Sequence, residues 1–459
     1  MLACAMPRVM VIGLDACPPA VLFDSLLPHL PAFRALAQRS MVGPLESSMP
    51  PITVPAWSSM VTGLDPGALG IYGFHDRRDY SYEGRRLASS LHVGAPTLWS
   101  LLSRAHKRCR VLGVPQTYPP KPVRGTLVAG PPLPEGARDF VYPVEAHAAL
   151  MEWVPDYRVD VPEFRRANQA QAVAQVVAMT EARFRVAERW VQAADWDFFM
   201  MVEIGLDRMQ HMIWDDAILD AALAPQTGAL FDYYRQLDRH LAKLLSLLRA
   251  DDVVFVVSDH GAQRLWGNFA LNEWLVAEGY LVLNQPRAPG VVSPLLPAEV
   301  DWTRTRAWGD GGYVGRIYLN LLGRESQGIV SEADAPSLLA ELRRKLGALL
   351  GPDDQRLPVQ TLAPHEVYRE VNGVPPDLMV LVAELRFRTL GTLGHGQLFV
   401  AKNDQGADAA NHAPHGVLIL QDGQGARPAP THATLLDIAP TVLHRLGMTP
   451  PGSMHGQIL

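Results

Sequence analysis

The sequence lacks the features that mark a secreted or membrane-embedded protein. Only three of its 459 residues are cysteines, Cys4, Cys17 and Cys109, and no CxxC pair occurs. Neither a disulfide framework nor a thiolate metal site is therefore expected. No apolar run reaches membrane-spanning length, and no basic flank precedes an apolar segment at the start of the chain. We expect no signal peptide, no membrane segment and a cytoplasmic location.

The sequence also lacks a strong positive charge. Its formal net charge is −6, with no long basic block, so a nucleic-acid-binding surface of the usual kind is not expected. Apolar residues make up 48% of the chain and charged residues 19%, which is the balance of a globular protein. The chain is long enough for a large core and exceeds one ordinary domain.

Short apolar runs alternate with helical patterns along much of the chain. Strands are predicted over 9–14, 110–114, 198–204, 253–257 and 416–420, and helices over 97–105, 169–194, 230–248 and 434–446. This alternation predicts an α/β fold with a doubly wound, mostly parallel central sheet flanked by helices. We predict a core over 1–265 and 395–459, interrupted by an inserted cap-like region over 266–394.

The first candidate for chemistry is the stretch 49–74, MPPITVPAWSSMVTGLDPGALGIYGF. Thr53 is predicted to be a helix N-cap, and Gly63 suits the position after a helix end. The Thr53 hydroxyl would then lie beside free backbone N–H groups and the positive end of the helix dipole, where an anion can bind. A plain capping role is the alternative, because many threonines cap helices and few are nucleophiles.

Aspartates and histidines recur where the predicted strands end. Asp15 closes the first strand, Asp207 lies just past the strand 198–204, and Asp259 and His260 close the strand 253–257. Ligands of open α/β sheets bind beyond the carboxyl ends of the strands, so these side chains can converge on one crevice. Each alone has an ordinary explanation as a turn, cap or core residue.

Two further histidines extend this set. His211 follows Asp207 at a spacing of four residues, which places both on one helix face where they can bind one ion together. His412 precedes the strand 416–420 and can join from the other side. His415 lies only three residues away and is the competing candidate.

Five segments of the sequence resemble a known superfamily. They are GLDA around Asp15, TVPAWSSMVTGLDPGALGI from Thr53, LDRMQH, SDHG and HAPHG. On these segments the chain resembles the alkaline phosphatase superfamily, nearest to its type I phosphodiesterase/nucleotide pyrophosphatase branch. The resemblance spans nearly the whole chain and is weakest between 280 and 390. It implies an alkaline-phosphatase-like core.

The resemblance implies two divalent metal ions and a threonine nucleophile. One ion would be bound by Asp207, His211 and His412, and the other by Asp15, Asp259, His260 and the Thr53 hydroxyl. Such oxygen and nitrogen ligands suit zinc, and manganese is acceptable on ligand type. His412 is preferred over His415 because the histidine of the family stands four residues before the glycine that is Gly416 here.

The implied reaction is the hydrolysis of small-molecule phosphate esters, either diesters or monoesters. Thr53 would attack phosphorus, and water activated at the other metal would hydrolyse the phospho-threonine intermediate. The alternatives are a phosphomutase or phosphotransferase of the same superfamily and a non-catalytic binding protein. A sulfatase is not implied, because that branch needs a CxPxR-type sequence and Cys17 is followed by Pro18, Pro19 and Ala20.

The sequence departs from nucleotide pyrophosphatases just beyond the nucleophile segment. Where those enzymes place an asparagine that holds a substrate phosphate oxygen, this chain has Gly73 and Phe74. Specificity for nucleotide diesters is therefore not implied. Arg77, Arg78 and Lys402 are candidates for contact with an anionic group of the substrate, and a solvated loop is the competing interpretation.

Overall fold

The computed structural model describes residues 7–459, so Cys4 lies outside the described residues. The chain divides into two compact units. The first covers the chain up to Phe74, then Ala88–Ala262 and His412–Leu459, and the second covers His75–Leu87 and Gln263–Asn411. The insertion predicted over 266–394 falls within the second unit, and a cap function for it stays a prediction.

The first unit is built on a nine-stranded sheet. In chain order its strands are Val9–Leu14 (β1), Met41–Glu46 (β2), Cys109–Leu112 (β3), Gly125–Val128 (β4), Val141–Tyr142 (β5), Phe198–Glu203 (β6), Val253–Val257 (β7), His415–Gln421 (β8) and Arg427–Pro428 (β9). Their spatial order is β9-β2-β8-β7-β1-β6-β3-β4-β5. The five strands from β7 to β4 in this order are all parallel. The predicted α/β fold with a mostly parallel central sheet is confirmed.

Helices cover both faces of this sheet. The helices of this unit are Pro31–Ala37 (α1), Thr53–Thr62 (α2), Pro66–Leu69 (α3), Leu98–Arg104 (α4), Ala146–Trp153 (α5), Gln169–Ala193 (α6), Gly205–Ile213 (α7), Ala229–Ser246 (α8) and Ile438–Arg445 (α9), and all but α3 contribute to the apolar layers on the sheet. Successive residues of β1 enter different apolar layers: Met10 and Ile12 pack on one face, Val9 and Val11 on the other. The strand is fully buried because it faces helices on both sides.

The parallel register brings three strand ends to one edge of the sheet. Leu14 at the end of β1 lies opposite Glu203 at the end of β6, and Gly13 lies opposite Val257 at the end of β7. The residues that follow these strands therefore leave the sheet side by side, at the edge where α/β proteins bind ligands.

The second unit has a sheet of its own. Its seven strands are Ala307–Asp310, Gly315–Leu319, Leu378–Val382, Phe387–Leu390, Gly267–Ala270, Phe399–Val400 and Val359–Leu362. All but one of its strand pairs are antiparallel. The helices of this unit are Leu271–Ala277, Ala335–Leu346 and Pro364–Val367. Within residues 7–459, no helix combines the length and the apolar character needed to span a membrane.

A buried carboxylate at the end of β6 anchors the start of α7. Glu203 Oε1 accepts hydrogen bonds from the Gly205 N–H at 2.7 Å, the Thr180 hydroxyl at 3.1 Å and the Tyr233 hydroxyl at 3.3 Å. Arg183 donates to the same oxygen at 3.3 Å, and neither side chain of this ion pair is exposed. The first turn of α7 is thus fixed to the core by a charged group.

Replacing Arg183 with leucine should destabilise the fold strongly. The variant leaves Glu203 as a buried charge without its cation, and breaking a buried pair in this way costs about 3–5 kcal/mol. Arg185→Leu is the matched control, because Arg185 lies on the same helix and pairs with Asp156 at the surface. That change should cost less than about 1 kcal/mol. Urea unfolding of both variants measures the difference, and equal losses would contradict this role of Arg183.

Candidate metal centre

Carboxylate and imidazole side chains meet where β1, β6 and β7 end. They are Asp15, Asp207, His211, Asp259, His260 and His412, and each is at most 2% exposed. Two sets have ligand atoms within 4.8 Å of one another: Asp207, His260 and His412, and Asp15, Asp259 and His260. His211 adjoins the first set, with Nε2 3.2 Å from Asp207 Oδ1. The residues that the sequence predicted as ligands lie together, and metal binding by them stays a prediction.

Each of these side chains is placed by the segment that follows or precedes a strand. Asp15 comes directly after β1, and Asp259 and His260 come after β7. The helix α7 begins directly beyond β6 and presents Asp207 one turn before His211. His412 lies in the strand Ala410–Ala413, shortly before β8.

Every aspartate of the cluster has one oxygen held by a donor of the protein. The pairs are Asp15 Oδ2 with the Trp57 indole N–H at 2.9 Å, Asp259 Oδ1 with the Ala16 N–H at 3.2 Å, and Asp207 Oδ2 with the Arg208 guanidinium at 2.5 Å. The second oxygens face the histidines instead. Asp15 Oδ1 and Asp259 Oδ2 are 3.7 and 3.2 Å from His260 Nε2, and Asp207 Oδ1 is 3.5 Å from His412 Nε2.

The hydrogen bonds of two histidines fix their tautomers. His260 Nδ1 lies 3.0 Å from the Gly261 carbonyl oxygen, and His412 Nδ1 lies 2.7 Å from the Pro51 carbonyl oxygen. A carbonyl oxygen only accepts, so each Nδ1 carries the proton and donates it. Nε2 of each neutral ring then presents a lone pair to the carboxylates, the arrangement that metal-binding histidines adopt.

Burial governs the protonation of the cluster. It raises the pKa of Asp15 and of Asp259 well above the usual range, and repulsion from a neighbouring carboxylate adds to each shift. Burial also lowers the pKa of His260 and of His412, so both rings are neutral near pH 7. Burial alone would raise the pKa of Asp207, but His211 and Arg208 outweigh it and hold that pKa well below the usual range.

These observations fit a site for divalent cations. Among the described residues, Asp15 Oδ1 and Asp259 Oδ2 accept no hydrogen bond, although buried carboxylate oxygens ordinarily have partners. Both oxygens face the lone pair of His260 Nε2, so three acceptor atoms repel one another. A cation bound among them would attract all three. The carboxylate and imidazole ligands suit Zn²⁺ or Mn²⁺. Burial also raises the pKa of the neighbouring Cys17 thiol, to about 12.

Thr53 begins α2 and faces the cluster, but it is not the N-cap that the sequence predicted. The N-cap is Ile52, whose extended backbone (φ −128°, ψ 134°) precedes the helix, and no side chain caps this end. The Thr53 hydroxyl instead lies 3.4 Å from His260 Nε2. The predicted helix end is confirmed, since Gly63 takes a left-handed conformation (φ 69°) after Thr62.

The structure distinguishes the two neighbouring histidines of the late segment. His412 is buried beside Asp207, whereas His415 begins β8 as an exposed residue. The two rings lie in different strands, His412 in Ala410–Ala413 and His415 at the start of β8, with Pro414 between the strands. His412 is thus the one of the two that the fold brings to the cluster.

The candidates for substrate contact lie in or beside strands and loops of the second unit. Arg77 is buried in an ion pair with Glu325 at 3.2 Å, which gives it a structural role within that unit. Arg78 is exposed and pairs with Asp79 at 3.1 Å, and Lys402 is exposed in a loop. Contact of these three side chains with a substrate stays a prediction.

The sequence interpretation missed the donors that hold the carboxylates. Trp57 lies four residues after Thr53, so both occupy one face of α2, and this spacing was the available signal. Arg208 follows Asp207 directly and also pairs with Asp160 at 2.7 Å. No local pattern indicates that pairing, because Asp160 is far away in the sequence.

Comparison with known proteins agrees with this architecture. Residues 9–416 match the family model described as type I phosphodiesterase / nucleotide pyrophosphatase. A search of curated protein sequences gives no match. The fold is similar to that of human ectonucleotide pyrophosphatase/phosphodiesterase 5, with 13% identity, a TM-score of 0.57 and coverage of 98% of this chain and 97% of that one.

A second solved structure shares the fold. It is phosphonoacetate hydrolase from Sinorhizobium meliloti 1021 in complex with phosphonoformate. The identity is 16% and the TM-score 0.61, and the match covers 96% of this chain and 95% of that one. At such identities the two likenesses concern the fold.

Replacing His412 with alanine should weaken metal binding, because Nε2 faces Asp207 in the buried cluster. We expect the dissociation constant for Zn²⁺ to rise by more than the about 10–100-fold that loss of an outer-shell partner costs. His415→Ala is the matched control and should leave Zn²⁺ affinity unchanged. Zinc titration of the apo protein by calorimetry, with circular dichroism to confirm folding, measures both. Unchanged zinc affinity in folded His412→Ala would remove His412 from the site.

Proposed function

Because the chain belongs to the type I phosphodiesterase/nucleotide pyrophosphatase family and is thereby a phosphoric ester hydrolase, we propose that Thr53 is its nucleophile. We further propose that two divalent metal ions, zinc by preference, are bound by the buried aspartates and histidines of the cluster. The observation that carries this proposal is the position of the Thr53 hydroxyl, at the start of a helix and 3.4 Å from His260 Nε2.

The chemistry expected of Thr53 follows from its surroundings. When bound, divalent ions favour the ionised form of a coordinated hydroxyl and neutralise charge on phosphate oxygens. Thr53 gives up its hydroxyl proton, its Oγ bonds to phosphorus, and the bond from phosphorus to the leaving oxygen breaks. The proton ends on that oxygen through solvent, so an alcohol leaves. Water then attacks the phospho-threonine and restores the hydroxyl.

The start of α2 supplies the second part of the proposed phosphate site. The first hydrogen bond of this helix runs from the Ala56 N–H to the Ile52 carbonyl at 2.9 Å. The N–H groups of Thr53 and Val54 therefore have no partner within the helix. They can donate to phosphate oxygens beside the nucleophile, where the helix dipole also favours negative charge. Pro55 has no N–H, and in the first turn this costs the helix nothing.

The reaction class can be tested with a panel of model esters. We propose p-nitrophenyl phosphate, bis-p-nitrophenyl phosphate and a phosphonate ester, each assayed with Zn²⁺ and with Mn²⁺ after removal of metals by a chelator. Turnover of at least one ester that needs the added metal is expected. Binding of two metal equivalents without hydrolysis of any ester would favour the non-catalytic binding protein.

Thr53→Ala should abolish turnover and retain bound metal. Loss of the attacking oxygen is expected to lower kcat by about 10³-fold or more. The aspartates and histidines still provide ligands, so the number of zinc equivalents should not fall. Steady-state assays and metal analysis of the purified protein provide the two measurements.

Ser59→Ala is the matched control for this variant. Ser59 lies on the same helix, is fully buried, and its hydroxyl has no hydrogen-bond partner among the described residues. Removing that hydroxyl breaks no side-chain hydrogen bond and leaves the Thr53 hydroxyl in place, so kcat should stay within about twofold of wild type. Full activity of Thr53→Ala would instead direct attention to Ser58 and Ser59 as nucleophiles.

A further inference from the structure

We infer that Trp57 is a positioning residue that restricts Asp15 to a single metal-binding oxygen. The inference rests on the metal site proposed above and adds a residue that has no ligand chemistry of its own. Trp57 donates its indole N–H to Asp15 Oδ2 at 2.9 Å, and both side chains are fully buried. Asp15 Oδ1 is left directed towards His260.

The direction of this hydrogen bond follows from the chemistry of indole. Nε1 of tryptophan is a donor and never an acceptor, and it cannot coordinate a metal ion. It therefore occupies one carboxylate oxygen without competing for the cation. The same division between the two oxygens holds at Asp207 and Asp259, but there the donors are a charged arginine and a backbone N–H. At Asp15 the donor is a neutral side chain.

The fold reserves the space that Trp57 needs. Gly13, two residues before Asp15 on β1, faces the indole ring, and a Cβ added at Gly13 would collide with that ring. The same Cβ would lie 2.8 Å from a methyl group of Val202 on β6. The ring thus packs against the backbone of β1 beside the strand end, and its N–H reaches the carboxylate of Asp15 there.

Trp57 also ties Asp15 to the nucleophile. It follows Thr53 by four residues on α2, so both side chains leave the same face of one rigid helix. The Thr53 hydroxyl lies 3.4 Å from His260 Nε2 while the indole holds Asp15. The position of the attacking oxygen and the orientation of one metal ligand are therefore set by one element.

Loss of the indole N–H should loosen the metal site without removing a ligand. Asp15 Oδ2 would have no donor, and the carboxylate could rotate or bind the cation through both oxygens. Outer-shell partners of this kind typically contribute about 10–100-fold in metal affinity. We expect the dissociation constant for Zn²⁺ to rise by that factor at one of the two sites, with the other site unchanged.

The test compares Trp57→Phe with an isosteric analogue. In the analogue, benzothienylalanine replaces Trp57 in the full chain, so sulfur takes the place of the N–H and the ring size is kept. Apo proteins are titrated with Zn²⁺ alone, and Co²⁺-loaded proteins are examined by visible absorption. Both variants should show weaker binding at one site and a weaker, shifted Co²⁺ spectrum, since coordination by a further oxygen reduces the intensity of these bands.

Trp196→Phe is the matched control. Trp196 is buried in the same unit and donates its indole N–H to the Val191 carbonyl at 3.4 Å, outside the cluster. Its replacement should leave Zn²⁺ affinity and the Co²⁺ spectrum unchanged. If the benzothienyl variant binds Zn²⁺ and Co²⁺ as the wild type does, the hydrogen bond has no positioning role and the inference is wrong.

The outcomes also separate this inference from the proposed function. A wild-type chain that binds no Zn²⁺ or Co²⁺ would overturn the metal site itself. A wild-type chain that binds metal and hydrolyses esters, together with an unaltered benzothienyl variant, would overturn only the role of Trp57. In the expected case kcat falls in both Trp57 variants while KM changes by less than about threefold, because binding of the substrate by the helix N–H groups is retained.

Discussion

Repulsion among three buried aspartates is the constraint on which the site depends. The parallel register of β1, β6 and β7 brings Asp15, Asp207 and Asp259 to one edge of the sheet, away from water. Charges buried in this way are costly unless protons or cations compensate them. Burial, and after it the neighbouring carboxylate, raises the pKa of Asp15 and of Asp259 accordingly. Neutral histidines with Nε2 lone pairs cannot relieve it, whereas divalent cations can.

The surrounding protein is arranged to hold this unfavourable cluster in place. Ala16, in the turn after β1, has a left-handed backbone (φ 62°), which is uncommon for a residue with a side chain. Gln210 donates to its carbonyl at 2.7 Å, and Ser258 accepts from the next N–H, of Cys17, at 2.8 Å. Ser258 in turn donates to the His260 carbonyl at 2.6 Å. These hydrogen bonds join the turn after β1 to α7 and to the loop that follows β7. A strained backbone conformation persists only where the surrounding structure holds it in this way.

The sequence predicted the parts of the fold that depend on local pattern. The strand 9–14, the strand 253–257 and the aspartates that follow them were recognisable because fully buried strands are continuous apolar runs. The sheet of the second unit was not predicted, and 382–393 lacked any clear period. Phe387–Leu390 is a strand buried at every position, and four residues are too few to show a period. Long-range donors such as Trp57 depend on the tertiary structure, and so does the choice of Ile52 over Thr53 as the N-cap.

The N-cap error itself has a physical meaning. A threonine that caps its own helix turns its hydroxyl back to the N–H groups of the first turn, and both the hydroxyl and those donors are then occupied. Because Ile52 takes the cap position and no side chain caps this end, the Thr53 hydroxyl faces the carboxylate and imidazole groups. The first-turn donors are likewise not used by a cap. A helix start without a side-chain cap is about 1 kcal/mol less stable than one with a good cap. In α2 the absence of a cap keeps the Thr53 hydroxyl and the first-turn N–H groups available for the proposed nucleophile and phosphate site.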